Sequence, residues 1–376
     1  MNVIFTCGGT GGHIYPAIAV AKLLRSRKPD CNILFIGAED GMETKLVPRE
    51  GFRLETLKIS NYQRKFTPAA MWHNVTTLLH MRASLRRAGR LIDEFQPDVI
   101  VGTGGYASFP ALKMGAKKHI PTAVHESNAV PGLTTRMVER SAQAILVSFE
   151  ESRAQYSAPE RVRVVGTPVR EEFLYTDRAK ARRALGIDDD KPLIVSYWGS
   201  LGAREMNKKI AQFFACEVQD GLPFRHIHAC GSFGWRWMPE YVKEQGVELV
   251  QQDKIELREF IYDMPQVMAA ADLVICRAGA ATIAEVAASG TPCIMVPSPN
   301  VTDNHQEKNA RVLEARGAAA VLREAQCSGQ VLYDTAKSIL SDPERRHAMA
   351  MAAAQMAVVD SAEQIYETVL ELAQTR

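Results

Sequence analysis

The 376-residue sequence has no apolar run of the roughly 18 residues that a bilayer-spanning helix needs, because charges interrupt every candidate. It has no CxxC pair. Its seven cysteines are scattered, which argues against a zinc site and a disulfide framework. Cys7, Cys276 and Cys293 lie in or beside apolar runs and read as small buried hydrophobes. There is no charge excess either: 45 basic against 43 acidic side chains leave +2, too balanced for bulk nucleic-acid binding but compatible with a local basic patch. The opening MNVIFTCGG has neither a basic n-region nor a signal-type apolar core, which predicts a chain that stays in the cytosol. What is present is a composition of 46% apolar and 23% charged residues, ordinary for a soluble protein with a real core. At roughly 150 residues per domain the length predicts two domains.

Short apolar runs alternate with helical periodicity. Strands are expected at residues 2–6, 33–36, 99–101, 122–124, 144–147 and 162–165, with helices from Tyr15 and from about Pro110. After residues 188–192 the rhythm restarts, with strands at 193–197, 226–230, 247–250, 273–276 and 293–296 and a helix from Arg204. The tail from Ser361 has helical spacing of Ile365, Val369 and Leu372. Strands alternating with helices predict an α/β chain of two Rossmann-like, doubly wound parallel-sheet domains joined near residues 166–170 and facing across a cleft. Ligands of such sheets sit beyond the carboxyl ends of the strands.

Glycine-rich motifs fall at those ends. GGTGGH, residues 8–13, follows the first strand; its glycines and the helix N-terminus suit an anion such as a diphosphate. The spacing is not GxGxxG, and Glu39 and Asp40 come only after Gly37, so a nicotinamide dinucleotide is not implied. GTGGYASFP, residues 102–110, repeats the device and brings Tyr106 and Ser108 to the same edge. HESN, residues 125–128, adds Glu126 and Asn128, where a plain loop carboxylate is the alternative for Glu126. In the second half, GSLGA at 199–203 offers Ser200 and helix N–H groups to a phosphate, with Arg170 at the domain junction in reach of the same charge or held in a surface ion pair. RAGAATIAE, residues 277–285, places Glu285 inside a helix, where a carboxylate accepts from vicinal hydroxyls of a ribose or is merely solvated. The loop at 297–310 carries Asp303, Asn304, His305 and Gln306, suited to sugar hydroxyls.

In this order, GGTGGH, GTGGY, HExN, GSxGA, RAGAxTxxE and DNHQ resemble the MurG family of peptidoglycan N-acetylglucosaminyltransferases, in glycosyltransferase family 28. The motifs run from Gly8 to about Ala310, and six in order are specific where any one is weak. The resemblance implies a GT-B fold and an inverting transfer of N-acetylglucosamine from UDP-GlcNAc to the C4 hydroxyl of MurNAc in lipid I, giving lipid II. It implies an acceptor domain at residues 1–166 that the last helix, about 358–376, rejoins, and a donor domain at 167–357. Carried over by position, Arg170 and Ser200 hold the diphosphate, Ile261 meets the uracil through its backbone, and Glu285 binds the ribose. Gln306 and Asn128 meet sugar hydroxyls, and Thr10, Gly11 and Gly12 belong to the site. Two places depart from the family pattern. Trp198 stands where glycine is usual, so its side chain has to point away from the nucleotide, and GWRWM, from Gly234 to Met238, is unlike the family.

The acceptor hydroxyl needs a base, for which His13 and Glu126 are the candidates, and the departing UDP needs its charge stabilised. The only run of the DxD type, residues 188–190, precedes a strand at the wrong end of the sheet for a metal-held diphosphate, so no cofactor or essential metal is expected. Between Arg64 and Arg90 stand Lys65, Arg82, Arg86 and Arg87 and no acidic residue, interleaved with Met71, Trp72, Val75, Leu78 and Leu79. That pattern suits either an ordinary amphipathic domain helix or an anionic membrane surface, and a polyprenyl-linked acceptor favours the second. The expected location is the cytoplasmic side of the membrane. A UDP-sugar epimerase on the same scaffold and a non-catalytic UDP-sugar-binding subunit are the rival readings.

Overall fold

The computed structural model describes residues 1–59, 68–199, 201–249 and 253–375; within 68–79 the side chains described are those of Thr77 only. The chain divides into two compact units, Met1–Val169 with Asp360–Arg376, and Arg170–Val359. The division thus falls after Val169 rather than after Gly166.

The first unit is built on β1 (Asn2–Thr6), β2 (Asn32–Ala38), β3 (Arg53–Leu57), β4 (Val99–Gly102), β5 (Thr122–Glu126), β6 (Ala144–Val147) and β7 (Val162–Val164). All pairs are parallel, in the order β3-β2-β1-β4-β5-β6-β7, so the winding reverses between β1 and β4. Alternate residues of β1 feed two cores: Val3 and Phe5 on one face, Ile4 on the other. The ring of Phe5 stacks on Phe35 of β2 at 5.4 Å. The edge strand β3 was not expected: RLETL buries only Leu57, so it carries none of the apolar run that marks a central strand. The helix Ser361–Gln374 seats Ile365, Val369 and Leu372 in the core of Val3 and Phe5, and Glu371 clamps Arg163 at 2.6 Å.

The second unit contains β8 (Leu193–Tyr197), β9 (Arg225–Ala229), β10 (Ile255–Arg258), β11 (Leu273–Cys276), β12 (Cys293–Met295) and β13 (Ala319–Val321). Their order is β10-β9-β8-β11-β12-β13, again all parallel, with the reversal between β8 and β11. The strand expected at 247–250 is corrected here. Val247 is buried but lies in the loop after the helix Met238–Glu244, and the ladder is supplied by β10, whose sequence IELR is too polar to stand out. Cys7, Cys276 and Cys293 are buried free thiols.

Candidate active site

In the first unit the loops after β1 and β4 flank the winding reversal and touch each other. Gly105 adopts φ +80°, and a Cβ on it would lie 2.1 Å from the Gly8 carbonyl oxygen. Gly104 adopts φ +106°, and a Cβ there would lie 2.5 Å from His13 Nδ1. Only glycine satisfies both the handedness and the closeness. The helix Gly11–Arg27 starts at the glycines themselves rather than at Tyr15, so Gly11 and Gly12 form its first turn. Their N–H groups, with no acceptor inside the helix, follow the exposed Thr10.

His13, half-exposed in that turn, is held by Thr103. Its Nδ1 lies 3.1 Å from the Thr103 carbonyl oxygen, and Thr103 Oγ1 donates to the His13 carbonyl at 2.6 Å. A carbonyl only accepts, so Nδ1 carries a proton, and in the neutral ring the lone pair is on Nε2. Tyr106 is half-buried beside this loop; burial, then the Glu43 and Asp40 carboxylates, push its phenol above the usual range.

Glu126 is neither exposed nor unoccupied. Its Oε1 accepts from the N–H and side-chain amide of Asn128 at 3.1 and 3.0 Å, and its Oε2 from the Gly132 N–H at 2.8 Å and the Thr135 hydroxyl at 2.7 Å. Four donors make it the brace of the 126–135 loop and leave Asn128 oriented by it. Glu43, not among the expected site residues, is fully buried under the first glycine turn. It accepts from Ala38 N–H at 2.7 Å and Gly9 N–H at 3.4 Å. A Cβ on Gly8, Gly37 or Gly41 would come within 2.6 Å of its carboxylate or stem. Gly37 and Gly41 shortly before Glu43 in GAEDGME were the available signal.

In the second unit the turn at 199–203 follows β8 and leads into the helix Arg204–Gln219. Gly202, at φ +76°, would place a Cβ 2.1 Å from the Cys230 carbonyl oxygen, so this turn rests on the backbone after β9. Ser200 lies outside the described residues. Trp198 turns into the core, 5% exposed, with the Arg277 guanidinium 5.6 Å from its ring centre. Of the unusual segment after Gly234, Trp235 is exposed, Trp237 packs between Tyr241 and Arg204, and Met238 is buried.

Arg170 is exposed and stacks over Phe173 at 5.2 Å. Glu285 lies half-buried in the helix Ala280–Ser289 after β11; burial raises its carboxyl to about 7, against the opposing pull of the Arg170 charge. Ile261 stands in the loop after β10. Gln306 accepts from the Ser298 N–H at 2.9 Å, which fixes its amide and leaves the NH2 group for a ligand, while His305 Nδ1 is tied to the Thr302 carbonyl at 2.9 Å. These positions all follow the carboxyl ends of their strands. The acidic run 188–190 precedes β8 instead, and Asp189 is bound to Arg225 at 2.9 Å. Among the described residues no group of three or more His, Cys, Asp or Glu is arranged to hold a metal ion.

The N-terminal domain of glycosyltransferase family 28 matches residues 3–147, and the C-terminal domain of the same family matches residues 194–365. The chain is 39% identical over 369 residues, 98% of its length and 99% of the relative's, to a protein of Thermoanaerobacter sp. (strain X514). That relative is named UDP-N-acetylglucosamine--N-acetylmuramyl-(pentapeptide) pyrophosphoryl-undecaprenol N-acetylglucosamine transferase. The chain belongs to glycosyltransferase family 28. This family-28 enzyme is similar in structure to Acinetobacter baumannii MurG, with a TM-score of 0.78 at 26% identity, over 98% of this chain and 99% of that one. It shares its fold, at a TM-score of 0.65 and 14% identity over 99% and 100% of the two chains, with a UDP-GlcNAc 2-epimerase of Neisseria meningitidis. The loops described above are thus those of a family-28 glycosyltransferase.

Proposed function

We propose that this glycosyltransferase moves N-acetylglucosamine from UDP-GlcNAc to the C4 hydroxyl of the MurNAc unit of undecaprenyl-pyrophosphoryl-MurNAc-pentapeptide, giving lipid II for peptidoglycan. The observation that carries the reading is the near full-length identity to relatives whose names state that transfer. The acceptor hydroxyl attacks the anomeric carbon on the face opposite UDP. A bond from its oxygen to that carbon forms as the bond to the β-phosphate oxygen breaks, which inverts the centre. The hydroxyl proton passes to His13 Nε2, the ring nitrogen that the Thr103 carbonyl leaves with the lone pair.

The negative charge growing on UDP is met by Arg170 and by the N–H groups of the 199–203 turn and the helix behind it. Glu285 accepts from the ribose hydroxyls, Ile261 meets the uracil, and Gln306, His305 and Asn128 meet the sugar. Thr10, Gly11, Gly12 and Tyr106 line the acceptor side. The first unit serves the acceptor and the second the donor, with no cofactor.

Among the described residues no helix is long and apolar enough to cross a membrane. Contact with the anionic cytoplasmic surface is assigned to the basic helix Pro68–Phe95, where Arg82, Arg86 and Arg90 are exposed. Arg64, Lys65 and the apolar side chains from Met71 to Leu79 fall among those not described. Arg87 has other work: it donates to Thr56 and Glu55 of β3 at 2.9 and 3.1 Å. The deciding measurement is UDP release from UDP-GlcNAc. It is expected only when lipid I or a short-chain analogue is supplied; conversion of the donor without acceptor would establish an epimerase instead.

A further inference from the structure

Behind the turn at 199–203 runs a line of five polar side chains that the mechanism does not use. Glu217, His226, Ser196 and His228 are fully buried, and Asn207 is 1% exposed. Ser196 sits on β8 and the two histidines share one face of β9, while Glu217 and Asn207 come from the helix Arg204–Gln219. His226 Nδ1 is 3.2 Å from both Glu217 oxygens, and His226 Nε2 is 2.7 Å from Ser196 Oγ. Ser196 Oγ is 2.7 Å from His228 Nδ1, and His228 Nε2 is 3.2 Å from Asn207 Oδ1. Asn207 Nδ2 donates to the Cys230 carbonyl at 2.8 Å.

The last link sets the protons of all the others. Because the Cys230 carbonyl only accepts, Asn207 turns its NH2 group to it and its oxygen to His228. His228 therefore carries its proton on Nε2, and its Nδ1 accepts from the Ser196 hydroxyl. Ser196 in turn accepts from His226 Nε2–H, and His226 Nδ1 accepts from a protonated Glu217. With both rings neutral and Glu217 protonated, every group donates in one direction. Burial favours that state: it pushes the Glu217 carboxyl well up, His226 down to about 3 and His228 well down. The Ser196 carbonyl oxygen, 3.0 Å from His228 Nδ1, favours a second ring proton, and burial outweighs it.

The line ends against the donor turn. Gly231 adopts φ +77°, and a Cβ on it would lie 2.2 Å from the Gly202 nitrogen. The two backbones touch with no side chain between them, so a shift of the Cys230 carbonyl passes directly to Gly202.

We propose that Glu217, His226, Ser196, His228 and Asn207 act as one directed hydrogen-bond line that holds Cys230 and Gly231, and through them the backbone at Gly202, in the form that receives the donor diphosphate. They are positioning residues, and the proposal rests on the transferase reading above.

Ser196→Ala breaks the line in the middle. It is expected to raise the KM for UDP-GlcNAc about tenfold while leaving the KM for a lipid I analogue unchanged. A fall in the folded fraction alone lowers the apparent kcat and moves neither KM. Glu217→Gln keeps a neutral donor at His226 Nδ1 and is expected to leave both KM values within about twofold, whereas Glu217→Leu behaves like Ser196→Ala. Nitrogen-15 NMR of the histidine-labelled wild type should show both buried rings as neutral Nε2–H tautomers throughout the neutral pH range. An unchanged donor KM in Ser196→Ala, a large rise in Glu217→Gln, or imidazolium or Nδ1–H signals from these rings overturns the proposal. Failure of the transferase reading shows elsewhere, as a wild type that releases no UDP with acceptor present, and it removes the donor-turn role along with it.

Discussion

At His13 the Thr103 carbonyl accepts from Nδ1–H, so in the neutral ring Nε2 holds the lone pair that the proposed base role needs, whereas Glu126 has its acceptor sites filled by four donors. His13→Ala is expected to lower kcat by about 10²–10⁴-fold with UDP binding by calorimetry unchanged. Glu126→Ala instead strands four donors and lowers unfolding free energy by about 3 kcal/mol in urea titration. An intact kcat in His13→Ala would remove it as the base. Burial raises the Glu285 carboxyl to about 7, and in the proposed ribose contact its ionised form is the stronger acceptor of two hydroxyls. Donor affinity should therefore fall as pH drops through about 7, and Glu285→Gln should abolish that limb of the profile. A profile of 1/KM for UDP-GlcNAc that is the same in both proteins contradicts the assignment.

Loops after strands, rather than the strands themselves, carry the site. The first glycine turn is held from three sides: Gly105 against the Gly8 carbonyl, Gly104 against His13, and the buried Glu43 beneath Gly9. Gly105→Ala combines a positive φ with a collision against backbone, which cannot move aside as a side chain can. We expect a loss of about 2–4 kcal/mol in stability and at least about tenfold in kcat, read by urea unfolding and UDP release. Wild-type values for both would mean that the two loops do not pack as described.

Across the whole molecule, the proposed function gives charge two different tasks. In it Arg170 and helix N–H groups meet the departing diphosphate, while the acidic run 188–190 lies at the opposite end of its sheet, engaged with Arg225. Enzyme stripped with a chelator is expected to keep most of its activity; complete loss restored by Mg²⁺ would refute this. The second task, the proposed membrane contact, belongs to the basic helix. Reversing Arg82, Arg86 and Arg90 to glutamate, with Arg87 spared because it anchors β3, should cut co-sedimentation with anionic vesicles by about tenfold at physiological salt. Binding that persists would place the contact elsewhere.

The order of glycine motifs, the strand–helix rhythm and the helical tail were legible because each rests on local chemistry: a positive φ, a period of apolar residues, a helix start. From them came two parallel sheets and the candidate positions in the loops that follow their strands. The polar edge strands β3 and β10 were not legible, since their neighbours rather than their own residues make them strands. Nor were the burial of Glu43, the saturation of Glu126 or the line from Glu217 to Asn207. A hydrogen-bond partner distant in sequence exists only once the chain has folded, so which carboxylate is a brace, and which histidine nitrogen holds a lone pair, was decided by tertiary packing alone.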